Sequence, residues 1–268
     1  MFMEIKNMKF DIIIQAGQSN AEGLGVGPVS AEYMPILSGN VYYLEAEKTV
    51  EHLPETVRVT YADTPFIITP AKERGSEQNP VGDFAMSFGE AYVKGNLQND
   101  RKLLIVRAAI GGTGFVKKQW GLEDQVYLKM IELADYALSI NEENRIVGVL
   151  WHQGECDAFE KNEPNVFKQQ LASLIQDIRK RYGKNLPFIA GDFVSEWKQK
   201  NISDCEPIVE KIREVLRETR HSAFIETSDL LSNNQKNGNG DDIHFCREAL
   251  YILGCRYYDA FREICSLI

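Results

Sequence analysis

Short apolar runs alternate along this chain with longer amphipathic segments, and this alternation restricts the fold more than any other feature. The apolar runs are rich in β-branched residues, as is typical of strands buried on both faces. They cover residues 10–15, 103–108, 146–151, 188–192 and 223–226. The amphipathic segments predict helices over residues 84–94, 124–140, 166–182, 203–220 and 248–264. Such alternation gives right-handed βαβ crossovers, so the sequence predicts a three-layer α/β/α sandwich around a parallel five-stranded sheet.

Residues 26–80 interrupt this alternation. They contain several prolines and short β-like pieces such as residues 41–44 and 57–61. We interpret them as an insertion over one end of the sheet rather than as a second domain. A chain of 268 residues lies within the range of one α/β domain, so residues 1–268 are expected to form a single domain.

The charge of the chain argues against two classes of partner. Its formal net charge is -9, whereas nucleic acids and anionic membranes bind concentrated positive charge.

No apolar stretch approaches the ~18–20 residues that span a membrane. The charged N-terminal residues do not have the pattern of a signal peptide, so we expect a cytoplasmic protein, or a secreted one whose leader was removed. The sequence does not indicate an oligomeric state.

Polar and glycine-rich clusters follow four of the predicted strands. "GQSN" (17–20) follows the first, "RAAIGGTG" (107–114) the second and "WHQGECD" (151–157) the third. "DDIHF" (241–245) follows the fifth, beyond a loop rich in asparagine and glycine. Ligands bind beyond the carboxyl ends of the strands in an open parallel sheet. The sequence therefore predicts one site at this edge of the sheet.

Ser19 is the predicted nucleophile of this site. A serine hydroxyl attacks poorly unless a base lies within hydrogen-bond reach and a third group orients that base. His244 is the candidate base, and Asp241, three residues earlier in a turn, is the favoured acid. Asp242 and Glu155 are alternative acids, and the sequence leaves this choice open. The order serine, aspartate, histidine is one of several in which triads occur.

Three groups are candidate donors to the oxyanion that forms during acyl transfer. They are the backbone N–H of Ser19, the backbone N–H of Gly111 or Gly112, and the side-chain amide of Gln153. Glycine suits a main chain that must approach a reacting group closely. This chemistry requires no cofactor.

Other kinds of site fit the sequence less well. A metal hydrolase would draw on His152, Glu155, Asp157 and His244, but the chain has no H-E-x-x-H pair. A nucleotide-binding protein needs a phosphate loop, and "GLGVG" (23–27) has neither the dinucleotide-binding nor the P-loop spacing. A non-catalytic carbohydrate-binding module on the same fold is a further alternative, because a fold does not fix a function.

The four clusters together resemble the SGNH-hydrolase superfamily. More narrowly, "GQSN" and "HQGE" in this order resemble its carbohydrate esterases of the sialate O-acetylesterase and acetylxylan esterase type. The resemblance spans residues 10 to about 250 and implies a flavodoxin-like sandwich. It also implies a serine esterase that removes acetyl groups from carbohydrates such as xylan or sialic acid, without a metal or cofactor.

The resemblance implies a role for each matching residue. Ser19 is the nucleophile, His244 the base and Asp241 its acid partner. The oxyanion donors are the Ser19 amide, Gly112 and Gln153. The remaining motif residues are expected to support the site: Gln18, Asn20, His152 and Glu155.

Aromatic residues in the predicted loops 26–80 and 113–122 are candidates for sugar recognition. Their flat faces suit stacking on pyranose rings. The set is Tyr33, Tyr42, Tyr43, Tyr61, Phe115 and Trp120. For most of them, packing within the protein is the expected use.

Overall fold

The computed structural model describes residues 5–36, 39–53 and 56–268. Its strands are β1 (Lys9–Gly17), β2 (Val41–Glu45), β3 (Lys48–His52), β4 (Val57–Tyr61), β5 (Ile67–Pro70), β6 (Arg74–Gly75), β7 (Pro80–Val81), β8 (Arg101–Arg107), β9 (Arg145–His152), β10 (Phe188–Gly191) and β11 (Ser222–Ile225). Its helices are α1 (Ser19–Glu22), α2 (Phe84–Gly95), α3 (Gln125–Ser139), α4 (Glu155–Phe159), α5 (Pro164–Tyr182), α6 (Ser195–Lys200), α7 (Ile202–Glu218) and α8 (Arg247–Cys265).

The central sheet has seven strands in the order β11-β10-β9-β1-β8-β2-β5. All neighbouring pairs are parallel except β2 and β5, which are antiparallel. The five strands predicted from the sequence form its main part, in the flavodoxin-like order 2-1-3-4-5. The predicted number of strands was wrong, because residues 26–80 contribute β2 and β5, which extend the sheet beyond β8.

The sheet lies between two layers of helices. Successive side chains of a strand point to opposite faces, and the end of β9 shows both layers. On one face, Trp151 lies beside Phe115, which packs edge-on against Phe167 of α5 with ring centroids 5.7 Å apart. His152 lies beside Phe84 of α2, which stacks on Tyr257 of α8, on the other. This confirms the predicted three-layer arrangement.

A buried ionic cluster lies at the amino end of the sheet. Asp11 of β1 is fully buried and accepts hydrogen bonds from Arg101 Nε at 2.8 Å, Arg145 Nε at 2.6 Å and Tyr92 OH at 2.7 Å. Burial opposes ionisation of this carboxyl. The bonds from Arg145 and Tyr92 and the charge of Arg101 nevertheless hold the pKa of Asp11 below its usual value. The cluster joins β1, β8 and β9 at the end of the sheet opposite the polar motifs.

Two small hairpins, β3 with β4 and β6 with β7, follow β2 in the inserted region. The first is held to the body of the protein by Gln119, whose Nε2 donates to the Val57 carbonyl oxygen at 2.8 Å. Glu73, just before β6, pairs with Arg247 of α8 at 2.5 Å. The inserted region therefore packs on the edge that carries the polar motifs. No helix in the described part of the chain is long and apolar enough to cross a membrane.

Candidate active site

A sharp turn after β1 presents Ser19. Gly17 pairs with His152 of β9, and the Gln18 N–H donates to the His152 carbonyl oxygen at 2.9 Å. Gly17 has a φ of +131°, and a Cβ at this position would lie 2.0 Å from that oxygen. Only glycine fits here. The backbone then turns directly into α1, which places Ser19 at the carboxyl edge of the sheet.

The helix that carries Ser19 is one turn long and is held at its carboxyl end. Gln15 Nε2 donates to the Ala21 carbonyl oxygen at 2.5 Å. Arg74 and Arg107 both donate to the Glu22 carbonyl oxygen, at 2.6 and 2.9 Å. These contacts satisfy the carbonyl groups that a helix end leaves unpaired. At the other end, the Ser19 N–H has no intrahelical acceptor and is available to a ligand.

The C-terminal motif forms a turn that joins Asp241 to His244. Asp241 Oδ2 lies 2.5 Å from His244 Nδ1, and its Oδ1 accepts from the Ile243 N–H at 3.0 Å. Asp242 instead pairs with Lys200 at 2.7 Å. The neighbouring acidic residues therefore point to different partners. Both members of the histidine–aspartate pair keep partial access to solvent.

The side chain of Asn20 binds this turn to the start of α1. Its Nδ2 donates to the Ile243 carbonyl oxygen at 3.1 Å, and its Oδ1 accepts from the Phe245 N–H at 3.1 Å. Asn20 thus binds the residues on both sides of His244. Asn20 follows Ser19 directly in the chain, so the histidine turn is bound to the residue next to this serine.

His152 and Glu155 are buried behind Ser19. The Glu155 Oε1 accepts from Asn20 Nδ2 at 2.8 Å and lies 3.6 Å from His152 Nε2. Burial lowers the pKa of His152 to about 3, so this imidazole is neutral. Burial also raises the pKa of Glu155. His152 Nδ1 lies 3.3 Å from the hydroxyl of Tyr257. These contacts join the "HQGE" motif to the residue that binds the histidine turn.

Gln18 and Gln153 bind the start of α4. Gln18 Oε1 accepts from the Cys156 N–H at 3.0 Å. Gln153 Nε2 donates to Asp157 Oδ2 at 2.5 Å, which still leaves its amide a second hydrogen to donate. The side chain of Gln153 is buried at the same edge of the sheet as Ser19.

Asp157 links the third motif to the second. Besides Gln153, it accepts from the backbone N–H groups of Phe115 at 3.0 Å and Val116 at 2.8 Å. Burial raises the pKa of Asp157, against the effect of these bonds. Sequence reasoning considered Asp157 only as a metal ligand. Its position four residues after Gln153, which directly precedes the N-cap of α4, was the available signal for the bond between these two side chains.

The two glycines of the second motif are used differently. The Gly111 N–H donates to Glu22 Oε2 at 2.9 Å. Gly112 has a φ of +73°, which favours glycine. Since the Gly111 N–H is engaged, the Gly112 N–H is the better candidate donor to an oxyanion. Sequence reasoning did not single out Glu22.

His152 and Glu155 lie close together, but the four residues of the alternative metal site do not form one ligand set. Asp157 is occupied by backbone and amide donors, and Glu155 by Asn20. Within residues 5–36, 39–53 and 56–268, no group of three or more histidine, cysteine, aspartate or glutamate side chains is arranged to hold a metal ion. Burial raises the pKa of the Cys156 thiol to about 12, so this side chain is no thiolate at neutral pH.

Three of the candidate sugar-stacking residues are buried. Tyr43, Phe115 and Trp120 are between 0% and 3% exposed. Trp120 Nε1 donates to Thr113 Oγ1 at 3.0 Å, next to the two glycines. These rings support the loops of the site from inside and have no free face for a sugar.

Comparison with solved structures shows where this fold recurs. NanS has a TM-score of 0.73 at 17% identity, with 97% of this chain and 98% of that chain covered. A protein from Arabidopsis thaliana has a TM-score of 0.66 at 20% identity, covering 94% and 98%. A carbohydrate acetylesterase from Xanthomonas citri has a TM-score of 0.61 at 18% identity, covering 96% and 57%. At these identities the likeness shows a shared fold.

Comparison of sequences gives the family. No curated protein matches the chain significantly. The family described as "Carbohydrate esterase, sialic acid-specific acetylesterase" matches residues 9–263, which include all four polar motifs. The match covers most of the chain and agrees with the resemblance found in the motifs. This protein therefore belongs to the family of carbohydrate esterases described as sialic acid-specific acetylesterases, which are carboxylic ester hydrolases.

Proposed function

We propose that this protein removes O-acetyl groups from carbohydrates through a Ser19–His244–Asp241 triad and an acyl-enzyme. One observation carries the proposal. His244, whose two neighbours Ile243 and Phe245 are both bound by Asn20, has its Nδ1 2.5 Å from Asp241 Oδ2. That contact fixes the tautomer in which Nε2 is free to accept a proton from the serine.

Acylation follows from these positions. His244 Nε2 takes the Ser19 proton while Oγ attacks the acetyl carbonyl carbon. The negative charge on the carbonyl oxygen is stabilised by the N–H groups of Ser19 and Gly112, with Gln153 as a third donor. His244 then gives its proton to the sugar oxygen, and the deacetylated carbohydrate leaves. Asp241 stabilises the imidazolium between these two transfers.

Deacylation repeats the sequence with water. His244 removes a proton from water, the hydroxide attacks the acetyl-Ser19 carbonyl, and acetate leaves as the proton returns to Ser19. His152 does not compete for this role, because burial lowers its pKa to about 3 and makes it a weak base, and its Nδ1 lies beside Tyr257. Its Nε2 lies 3.6 Å from the carboxylate of Glu155, which accepts a hydrogen bond from Asn20.

The description of the family supports O-acetylated sialic acid as the first substrate to test, with acetylated xylan as the second. The expected partner is thus an acetylated carbohydrate rather than a nucleic acid or a membrane. The net charge of -9 agrees with this expectation.

The test is acetate release from both substrates by the wild type and by Ser19→Ala. The variant is expected to lose on the order of 10⁴-fold or more in kcat, as triad serines do. Ser203→Ala, an exposed serine of α7, is the matched control and is expected to retain full activity. Circular dichroism verifies folding. Near-normal activity of Ser19→Ala would reject the proposed nucleophile.

A further inference from the structure

The triad does not use the carboxylate that ends the nucleophile helix. Glu22 lies three residues after Ser19, so the two side chains share one face of α1. Glu22 Oε2 accepts from the Gly111 N–H at 2.9 Å, and its Oε1 lies 3.4 Å from Arg74 Nη1. Its side chain is 25% exposed, which places it between the protein interior and the site.

Gly111 packs against both residues of that helix face. A Cβ on Gly111 would lie 3.4 Å from Ser19 Cβ and 3.4 Å from Glu22 Oε2. Gly111 therefore lies close to Ser19 and is hydrogen-bonded to Glu22. At this point α1 packs closely against residues 110–114, which we call the glycine loop.

We propose that Glu22 is a positioning residue for the oxyanion hole, an inference that rests on the proposed function. The Ile110–Gly111 peptide is planar, so the bond from Glu22 to the Gly111 N–H fixes its orientation. Only the two backbone torsions of Gly111 then separate this fixed peptide from the Gly112 N–H. Two consecutive glycines have few restrictions on their backbone torsions. The hydrogen bond to the Gly111 N–H therefore restricts the direction in which the Gly112 N–H points.

The charge of Glu22 is offset locally. A lone carboxylate beside the hole would disfavour the negative charge of the transition state. Arg74 pairs with this carboxylate and also donates to the Glu22 carbonyl oxygen at 2.6 Å. Arg107 donates to the same carbonyl oxygen at 2.9 Å. Arg74 belongs to β6, so the inserted region takes part in holding the glycine loop.

The test compares Glu22→Ala and Glu22→Gln with wild type on p-nitrophenyl acetate, which lacks a sugar. Glu22→Ala is expected to lower kcat about 10²-fold, the cost of a misplacement near 1 Å, with KM nearly unchanged. Glu22→Gln keeps an oxygen that accepts from Gly111 and is expected to recover most of that loss. Glu45→Ala is the control, because Glu45 pairs with Arg107 at 2.7 Å and does not contact Gly111.

A second readout follows the oxyanion hole directly. The rate at which diethyl p-nitrophenyl phosphate labels Ser19 depends on donors to the phosphoryl oxygen, and it is expected to fall in parallel with kcat in Glu22→Ala. Glu22→Met is measured if the alanine variant does not fold. Wild-type labelling by the folded variant, equal damage in Glu22→Gln, or an equal loss in Glu45→Ala would each overturn the proposal. An active Ser19→Ala variant would instead reject the proposed function, so the two failures are distinguishable.

Discussion

Replacement of Asp241 by asparagine isolates the contribution of the acid to catalysis. Asp241 makes two kinds of contact in the structure. Its Oδ2 lies 2.5 Å from His244 Nδ1, and its Oδ1 accepts from the backbone N–H groups of Ile243 and His244. An asparagine oxygen can keep the backbone contacts. Its amide group then faces Nδ1, donates to it and favours the tautomer whose Nε2 carries the proton.

The size of the effect follows from that change of tautomer. With Nε2 protonated, His244 cannot accept the proton of Ser19, and the imidazolium loses its anionic partner. A triad aspartate changed to asparagine costs about 10⁴ in kcat, or about 5 kcal/mol of transition-state stabilisation. We expect a loss of that order for Asp241→Asn with the fold intact.

Two matched variants make this result specific. Asp242→Asn removes an exposed ion pair with Lys200, which is worth at most about 1 kcal/mol in stability, and is expected to leave kcat almost unchanged. Glu155→Gln is expected to be intermediate, because Glu155 acts through Asn20. The assay is kcat on one acetyl ester, with circular dichroism for folding. The reasoning fails if Glu155→Gln is the most damaged variant and Asp241→Asn is nearly normal.

Two other expectations concern the thiol and the amino end of the sheet. Cys156→Ser is expected to keep most of the activity, because the Cys156 thiol is buried and its pKa is raised to about 12. A chelator is expected to have no effect on activity. Loss of activity with either treatment would favour a thiol or a metal mechanism. Asp11→Asn is expected to cost about 3–5 kcal/mol in unfolding free energy, because Arg101 is left buried without its partner, while kcat is unchanged. The pKa of Asp11 is lowered in the folded state. Its contribution to the free energy of unfolding is therefore fully present above the unfolded pKa of about 3.9 and is lost as the pH falls through the folded-state pKa. Urea unfolding at neutral and acid pH should therefore show a smaller difference between wild type and variant in acid, and an equal difference would contradict this account.

The main part of the sheet was predictable because its strands are continuous apolar runs. Residues 10–15 form the middle of β1, all of it buried after Lys9, and the polar motif that follows lies where a parallel sheet binds ligands. The pairing of β2 with β8 and β5 was not predictable. A run as short as residues 41–44 does not indicate which strand it pairs with. That pairing depends on the register of β2 against β5 and β8, which lie elsewhere in the chain.

The motif residues of the site were predictable for a similar reason, since each motif is contiguous and ends a strand. Glu22 was missed and Asp157 was considered only as a metal ligand, because each binds backbone N–H groups: Glu22 that of Gly111, and Asp157 those of Phe115 and Val116. Every residue except proline carries that same donor, so no side-chain pattern reveals which one a carboxylate binds. Motif spacing also left Gly111 and Gly112 equivalent, while the family resemblance implied Gly112; the contact of Gly111 with Glu22 now distinguishes them.

The contacts of Asn20 determine when the candidate site can form during synthesis of the chain. Its partner Phe245 lies 225 positions later in the chain, so the segments that carry Ser19 and His244 come together only after residue 245 has been synthesised. A nascent chain that has formed only the sheet around β1 contains Ser19 but not yet the turn that contains His244. Chains fold from the N-terminus during synthesis, and contacts of large sequence separation form late. On the proposed mechanism, hydrolysis of a chromogenic acetate therefore reports that the turn of residues 241–245 has docked on α1.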